Sequence, residues 1–392
     1  MNRSTRRSIC VVLTSPFALN AFLLNHLKAL ADDYAVTVCV NMQGSPASDV
    51  LDPRIELLHF PIAREISLFK DLSALFWLIR FFSKRNFDAV HSLTPKGGLI
   101  AMLAAKLCKI PYRTHTFTGQ VWANRSGFMR FLLKKMDHLI VACATNLQAD
   151  SRSQADFLQQ EGICDASAIQ VFGLGSISGV DLKRFSPVTG RREQLRRDLG
   201  IPMDASVFVF VGRIQHEKGV LVLAQAFASL VLKYPNAWLL YVGPDEGGLA
   251  ANIQEIAGNH CRLIGLTARP EDYLDLADVL CLPSFREGFG TVVIEAAAMG
   301  RPAIASRIYG LTDAVEENVT GILFPAGDTA ALMLAMESML APGEREQYGN
   351  RARERAHTYF SADRITGYWR SYYADLFDGK PASVPPDVHR LT

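Results

Sequence analysis

Ser284-Phe285-Arg286-Glu287-Gly288-Phe289-Gly290-Thr291-Val292-Val293-Ile294-Glu295-Ala296-Ala297-Ala298-Met299-Gly300-Arg301-Pro302 is the stretch on which the reading of this chain turns. Just ahead of it, Val279 to Leu282 is a short apolar run with the pattern of a buried strand. Behind the loop, Thr291 to Met299 is dense in Ala and ends at Gly300 with Pro302 beyond, the pattern of a helix and its stop. Glu287 therefore falls on a strand-to-helix loop, and Glu295 falls one or two turns into the helix. Loops at the carboxyl ends of parallel strands are where open α/β sheets bind ligands. Gly288 and Gly290 allow a close backbone approach, and the free N–H groups of a helix start favour an anion. The competing reading is a helix N-terminus carrying two incidental acids.

A second strand–loop–helix unit precedes it: Phe208-Val209-Phe210-Val211-Gly212-Arg213-Ile214-Gln215-His216-Glu217-Lys218-Gly219. Arg213 and Lys218 place two cations on one loop, which suits a ligand that develops negative charge on phosphate oxygens. Nothing resembling an Asp-x-Asp metal site stands in a comparable loop.

The same alternation runs through the whole chain. The first half predicts strands at Ser8–Leu13, Val36–Val40, Ile55–His59, Ala89–His91, Tyr112–Phe117, His138–Ala142 and Ile169–Phe172, with helices between them. After a change of composition between Leu182 and Asp204, strands are predicted at Ser206–Val211, Trp238–Val242, Arg262–Ile264, Val279–Leu282, Ala303–Ala305 and Ile322–Phe324. Alternating strands and helices predict an α/β protein with parallel sheets. A chain of 392 residues fits two such domains better than one.

Composition excludes several classes. Hydrophobic content of 49% and charged content of 20% are globular values, and a net charge of +2 argues against nucleic acid as the main partner. Residues 1–186 carry 21 Lys and Arg against 14 Asp and Glu, and the remainder carries 20 against 25. The seven cysteines are scattered without CxxC spacing and read as free thiols of a reducing compartment. Arg3, Arg6 and Arg7 before an apolar run imitate a signal peptide, but Ser8–Leu13 reads better as the first strand. No apolar run reaches the roughly 20 residues of a membrane span.

The predicted helix from Leu68 to Arg85 is apolar around more of its circumference than one buried face requires, with Lys70, Arg80, Lys84 and Arg85 among the apolar residues. Arg125 to Lys135 repeats this mixture. Both stretches suit the surface of an anionic membrane, or equally a helix packed on two sides.

These motifs resemble the donor-site signature of the GT-B-fold retaining glycosyltransferases of family 4. The family pattern E-G-F-G-x-x-x-x-E, followed by a small-residue helix and G-x-P, is matched by Glu287, Gly288, Phe289, Gly290 and Glu295. The segment at 212–219 resembles the family's G-R-x-x-x-x-K-G element, and Gly179-Val180-Asp181 to Pro187 resembles its G-V-D-x-x-x-F-x-P segment. The resemblance runs from about Ser8 to Phe377, with the specific motifs between Gly173 and Pro302.

It implies two Rossmann-like domains facing each other across a cleft: an acceptor-binding domain at 1–186 and a nucleotide-sugar-binding domain at 187–360. A crossover helix at 361–378 would return to the first domain, and a loose tail would follow at 379–392. It implies Arg213 and Lys218 on the donor diphosphate, Glu295 on the ribose, Glu287 at the donor sugar, and backbone at Gly212 and Gly288 to Gly290 lining the donor. No metal or other cofactor is implied.

The segments His91 to Leu99 and Arg113 to Gln120 are similar to enzymes that extend undecaprenyl-diphosphate-linked saccharides, commonly with UDP-hexose or UDP-N-acetylhexosamine donors. That subgroup implies an acceptor cradle at Lys96, Gly97 and Gly98, contact at Thr118, and a cytoplasmic protein peripheral on the inner face of the membrane. Two positions depart from the family. Ser15-Pro16-Phe17-Ala18 replaces a Gly-Gly pair, and Thr118 aligns with a histidine, leaving His115 three residues earlier as the candidate for its role. A GT-B-fold nucleotide-sugar epimerase and a non-catalytic sugar-nucleotide or lipid-binding scaffold are the alternatives. Glu287-to-Glu295 spacing argues against the first, and the intact set of Arg213, Lys218, Glu287 and Glu295 against the second.

Overall fold

Runs such as Ile9-Cys10-Val11-Val12-Leu13 and Val207-Phe208-Val209-Phe210 are apolar at every position, so they must be covered on both faces. Parallel strands with helices on either side meet that demand. The computed structural model describes residues 6–42, 51–62 and 67–380. Arg3 of the signal-like start and residues 381–392 of the expected tail lie outside the described residues. The chain forms two units: one holds the described residues up to Ser178 and from Ala362 onward, and the other is Gly179–Ser361.

In the first unit seven strands, β1 (Ser8–Leu13), β2 (Ala35–Val40), β3 (Glu56–His59), β4 (Ala89–Ser92), β5 (Tyr112–Phe117), β6 (Asn146–Ala149) and β7 (Ile169–Val171), pair in parallel in the order β3-β2-β1-β4-β5-β6-β7. The run His138–Ala142, predicted as a strand, belongs instead to a helix at Gly127–Cys143. Its buried positions Leu133, Asp137, Ile140 and Cys143 follow helical spacing, and a short apolar run does not by itself tell strand from helix. The sixth strand follows it at Asn146–Ala149, where Asn and Gln had concealed it.

The last helix, Ala362–Phe377, belongs to this first unit. Its buried face presents Ile365, Tyr368, Trp369, Tyr372, Tyr373 and Leu376 to a core that includes Ile9, Val11, Leu27 and Val36. Trp369 stacks on His26 at 5.5 Å and on His91 at 5.0 Å, and its ring N–H donates to the Ile177 carbonyl at 2.9 Å. Tyr373 Oη and Thr116 Oγ1 each lie 2.8 Å from a nitrogen of the buried His91 ring. Burial lowers His91 to about 3 and His26 to about 4, so both rings are neutral at physiological pH.

The second unit carries six parallel strands, β8 (Ser206–Val211), β9 (Ala237–Val242), β10 (Cys261–Gly265), β11 (Val279–Leu282), β12 (Ala303–Ser306) and β13 (Gly321–Phe324), in the order β10-β9-β8-β11-β12-β13. Both sheets therefore reverse direction of growth beside their first strand, the arrangement of a doubly wound nucleotide-binding fold. The basic segment at 182–204 folds within this second unit. Its helix Arg191–Asp198 buries Arg196, which donates to the Asp278 carboxylate at 3.0 Å and to several carbonyls. Among the described residues no helix is long and apolar enough to cross a membrane.

Candidate donor site in the second unit

The switch point of the second sheet lies between β8 and β11, and both sequence motifs leave from it. Chain leaving β8 turns through Gly212, makes a short 3-10 turn at His216–Lys218, and enters the helix Val220–Lys233 through Gly219. Chain leaving β11 runs through Ser284 to Gly290 into the helix Thr291–Ala298. The two loops touch: a Cβ on Gly219, where φ is 67°, would stand 1.9 Å from the Pro283 carbonyl oxygen. The Phe285 N–H also donates to the Glu217 carbonyl at 2.9 Å.

That contact brings the expected side chains together. Lys218 Nζ lies 2.7 Å from Glu287 Oε1, and Ser284 Oγ donates to the same oxygen at 2.8 Å. Both partners of the ion pair are mostly buried, with 15% and 13% of their side chains exposed. Arg213 is more open and sits between two carboxylates, 3.3 Å from Glu246 and 3.5 Å from Glu217. Phe289 is buried and packs on Phe360 at 5.3 Å, anchoring the loop that carries Gly288 and Gly290.

Glu295 stands apart from these pairs, in the second turn of its helix. Burial pushes its carboxyl up to about 7, with the Arg184 charge opposing and the Glu271 charge adding. Arg184 and Glu271 both line a recess of about 360 Å³ bounded also by Met299, one turn beyond Glu295. A carboxylate held this way gains from any ligand that donates hydrogen bonds to its charged form.

Three further residues of the site were not singled out from the sequence. Arg286 donates to both oxygens of Glu217, at 2.9 and 3.1 Å, and so locks the two loops side to side. Burial by itself would raise the Glu217 carboxyl, but Arg286, Lys218 and Arg213 hold it below its ordinary value. Glu246 reaches Arg213 from the loop after β9. Arg286 and Glu217 were visible as charged neighbours of the motif residues, but Glu246 is more than thirty positions from its partner and only the fold joins them.

Of the first-unit candidates, Lys96, Gly97 and Gly98 follow β4 at the equivalent switch point, between β1 and β4, whereas His115 lies on β5 and Thr118 just after it. Lys96, near the start of the helix Pro95–Leu107, is paired with Asp71 at 2.5 Å. Gly97 packs close to Thr94 and Thr14. Thr118 Oγ1 donates to the Leu93 carbonyl at 3.1 Å. His115 is buried, its Nδ1 is 2.8 Å from Ser92 Oγ, and burial lowers it to about 3. A Cβ on Gly98 would fall 2.3 Å from the His115 ring, so the ring serves as the floor under this turn.

The helix Leu68–Lys84 packs along one face within this chain. It buries Ala74, Leu78 and Phe82, while Leu68, Phe69, Leu72 and Phe76 are exposed, Phe69 by 88%. Phe128, Met129 and Phe131 are exposed in the same way on the helix Gly127–Cys143.

Comparison with known proteins agrees with this architecture. The family model for glycosyl transferases group 1 matches residues 191–355, and the model for glycosyl transferase 4-like domains matches residues 19–175. The capsular polysaccharide biosynthesis glycosyltransferase CapM of Staphylococcus aureus is 31% identical, over 85% of this chain and 89% of that protein. The UDP-Gal:alpha-D-GlcNAc-diphosphoundecaprenol alpha-1,3-galactosyltransferase of Escherichia coli is 28% identical, over 75% of this chain and 77% of that protein. Among solved structures, sucrose-phosphate synthase from Thermosynechococcus elongatus superposes with a TM-score of 0.80 at 23% identity, covering 96% of this chain and all of that one. The two matched models, in the order of the two units, and the nearly full-length likeness to CapM show that this chain belongs to the GT-B-fold glycosyltransferases of the group 1 and 4-like families.

Proposed function

We propose that this glycosyltransferase moves a hexose or N-acetylhexosamine from a UDP-sugar to a lipid-diphosphate-linked saccharide in surface polysaccharide assembly, with retention at the anomeric carbon. The observation that carries the reading is the meeting of Lys218 and Glu287 at the sheet's switch point. The acceptor and donor classes are supported by the Escherichia coli relative, a UDP-Gal:alpha-D-GlcNAc-diphosphoundecaprenol galactosyltransferase, and by CapM, a capsular polysaccharide biosynthesis glycosyltransferase.

In this scheme the bond between the anomeric carbon and the diphosphate oxygen breaks, and the acceptor oxygen bonds to the same face of that carbon. The acceptor's proton passes to an oxygen of the departing diphosphate. Arg213 and Lys218 meet the charge that develops there, so no metal is required. Glu287 orients the donor sugar or supports positive charge at its reacting carbon, and Glu295 accepts hydrogen bonds from the ribose hydroxyls. Lys96, Gly97, Gly98 and Thr118 form the acceptor side, with His115 supporting the turn from beneath. The exposed apolar residues of Leu68–Lys84 and Gly127–Cys143, flanked by Lys70, Lys84 and Lys135, rest on the anionic inner face of the membrane.

The test is a transfer assay with UDP-, GDP- and ADP-sugars and lipid extract containing undecaprenyl-diphosphate sugars, with and without chelator. One donor should yield a glycolipid, unaffected by chelator. Glu287→Ala should lower turnover by about 10²-fold or more while nucleotide binding survives. Full activity in that variant overturns the site, and conversion of the nucleotide sugar without acceptor makes the protein an epimerase. Flotation with anionic liposomes should be salt-sensitive and weakened by Phe69→Ser; its absence removes the membrane from the proposal.

A further inference from the structure

The charges of the candidate donor site are matched within the chain. Its cations Arg213, Lys218 and Arg286 are matched by Glu217, Glu246 and Glu287. A nucleoside diphosphate entering this set adds negative charge, so one carboxylate must give up its cation. Glu287 is held at 2.7 Å by Lys218 and again by Ser284. Glu217 is gripped through both oxygens by Arg286. Glu246 is different. Its contact with Arg213 is 3.3 Å, and the same oxygen accepts from Gln215 Nε2 at 2.6 Å, a neutral partner that can keep it.

The backbone fixes this pair in place. The Ile214 N–H donates to the Pro244 carbonyl and the Gly247 N–H to the Ile214 carbonyl, both at 2.9 Å. A Cβ on Gly243, where φ is 141°, would stand 2.0 Å from the Gly212 carbonyl oxygen, so the β8 and β9 loops lie against each other. Asp245, the neighbouring acid, is committed to the helix Ala250–Ala257, accepting from the N–H groups of Leu249 and Ala250.

We propose that Glu246 is a displaceable counter-ion. It holds Arg213 at 3.3 Å, yields it to the donor diphosphate when that binds, and takes it back as the nucleoside diphosphate departs. The inference rests on the reading of Arg213 as a diphosphate ligand. Glu246 is then a positioning residue that lowers nucleotide affinity and favours product release.

The experiment compares UDP and uridine binding by calorimetry for the full chain and for Glu246→Gln, Glu246→Ala and Arg213→Gln, each checked for an unchanged melting temperature. Both Glu246 variants should bind UDP more tightly, by about 2- to 5-fold at low salt, the range for a partly exposed ion pair, with the gain fading as salt rises. Uridine affinity should not move, which a merely structural role for Glu246 would not predict. Unchanged or weaker UDP binding in the Glu246 variants, while Arg213→Gln weakens UDP, overturns the counter-ion alone. Undiminished UDP binding in Arg213→Gln overturns the reading of Arg213 and the counter-ion with it.

Discussion

Glu295 gives the sharpest quantitative consequence of the proposed site. In the free protein its burial places the carboxyl at about 7, against an ordinary value of 4.5. Ribose hydroxyls donate to a carboxylate far better than to a carboxylic acid, so donor binding should restore the ordinary value. The shift is worth roughly 3 kcal/mol when fully expressed. Through linkage, affinity for a UDP-sugar should fall about tenfold between about pH 8 and about pH 6, with close to one proton released per ligand bound at the lower pH. A UDP-sugar is the ligand of choice because its doubly esterified diphosphate does not titrate in that window. Calorimetry in buffers of different ionisation enthalpy counts the proton directly. Glu295→Gln should bind more weakly and without the pH slope. A flat profile in the unaltered protein, or a slope retained in Glu295→Gln, would refute the assignment. The same residue acts on folding in the opposite sense: being raised, it favours the fold below about pH 4.5 and loses that contribution as pH climbs through about 7.

Other expectations concern the first unit. Gly98→Ala should cost about 1–3 kcal/mol, because the added methyl meets the His115 ring, and His115→Ala should restore part of that loss in a urea melt. Trp369→Ala should cost about 3–5 kcal/mol and expose the face of the last helix to proteolysis. His26 and His91 are both lowered in the fold, so their contribution to stability is complete above about pH 6.5 and is lost as pH falls toward 4 and below. Thermal melts across that range should show the loss, and His91→Gln should lessen it.

Much of the candidate donor site was legible because its residues are local in sequence. Gly212, Arg213 and Lys218 share one loop, and Glu287 to Glu295 share another; strand–loop–helix patterning places each without knowledge of the rest. The contacts between loops were not legible. Lys218 meets Glu287 across nearly seventy residues, and Glu246 reaches Arg213 from a third loop whose sequence announces only a turn. The first-unit residues show the same divide. The Lys96 turn is plain from Pro95 and the two glycines, whereas Asp71 as its ion partner follows only from the neighbouring helices. His115 illustrates a deeper limit. A histidine in a strand near a ligand-binding edge has the same sequence appearance whether it meets substrate or packs beneath a glycine. The mistaken strand at His138–Ala142 arose because Leu139-Ile140-Val141 favours strand locally, while burial at helical spacing over the preceding residues decides the outcome.

The placement of the last helix sets an order on the making of the molecule. Trp369, Tyr372 and Tyr373 fill the same core as β1 and β2, so the first unit lacks its own wall until Ala362–Phe377 has been translated and has emerged. In the meantime Gly179–Ser361 can complete its sheet and fold as a unit, ahead of the unit that precedes it in sequence. The nascent first unit must wait with an aromatic-sized gap beside His26 and His91. A polypeptide stopped at Ser178 should therefore aggregate. Joining Ala362–Phe377 to it through a flexible linker should give a soluble domain, and a nonsense codon shortly before Ala362 should be harmful despite sparing every residue of both motifs.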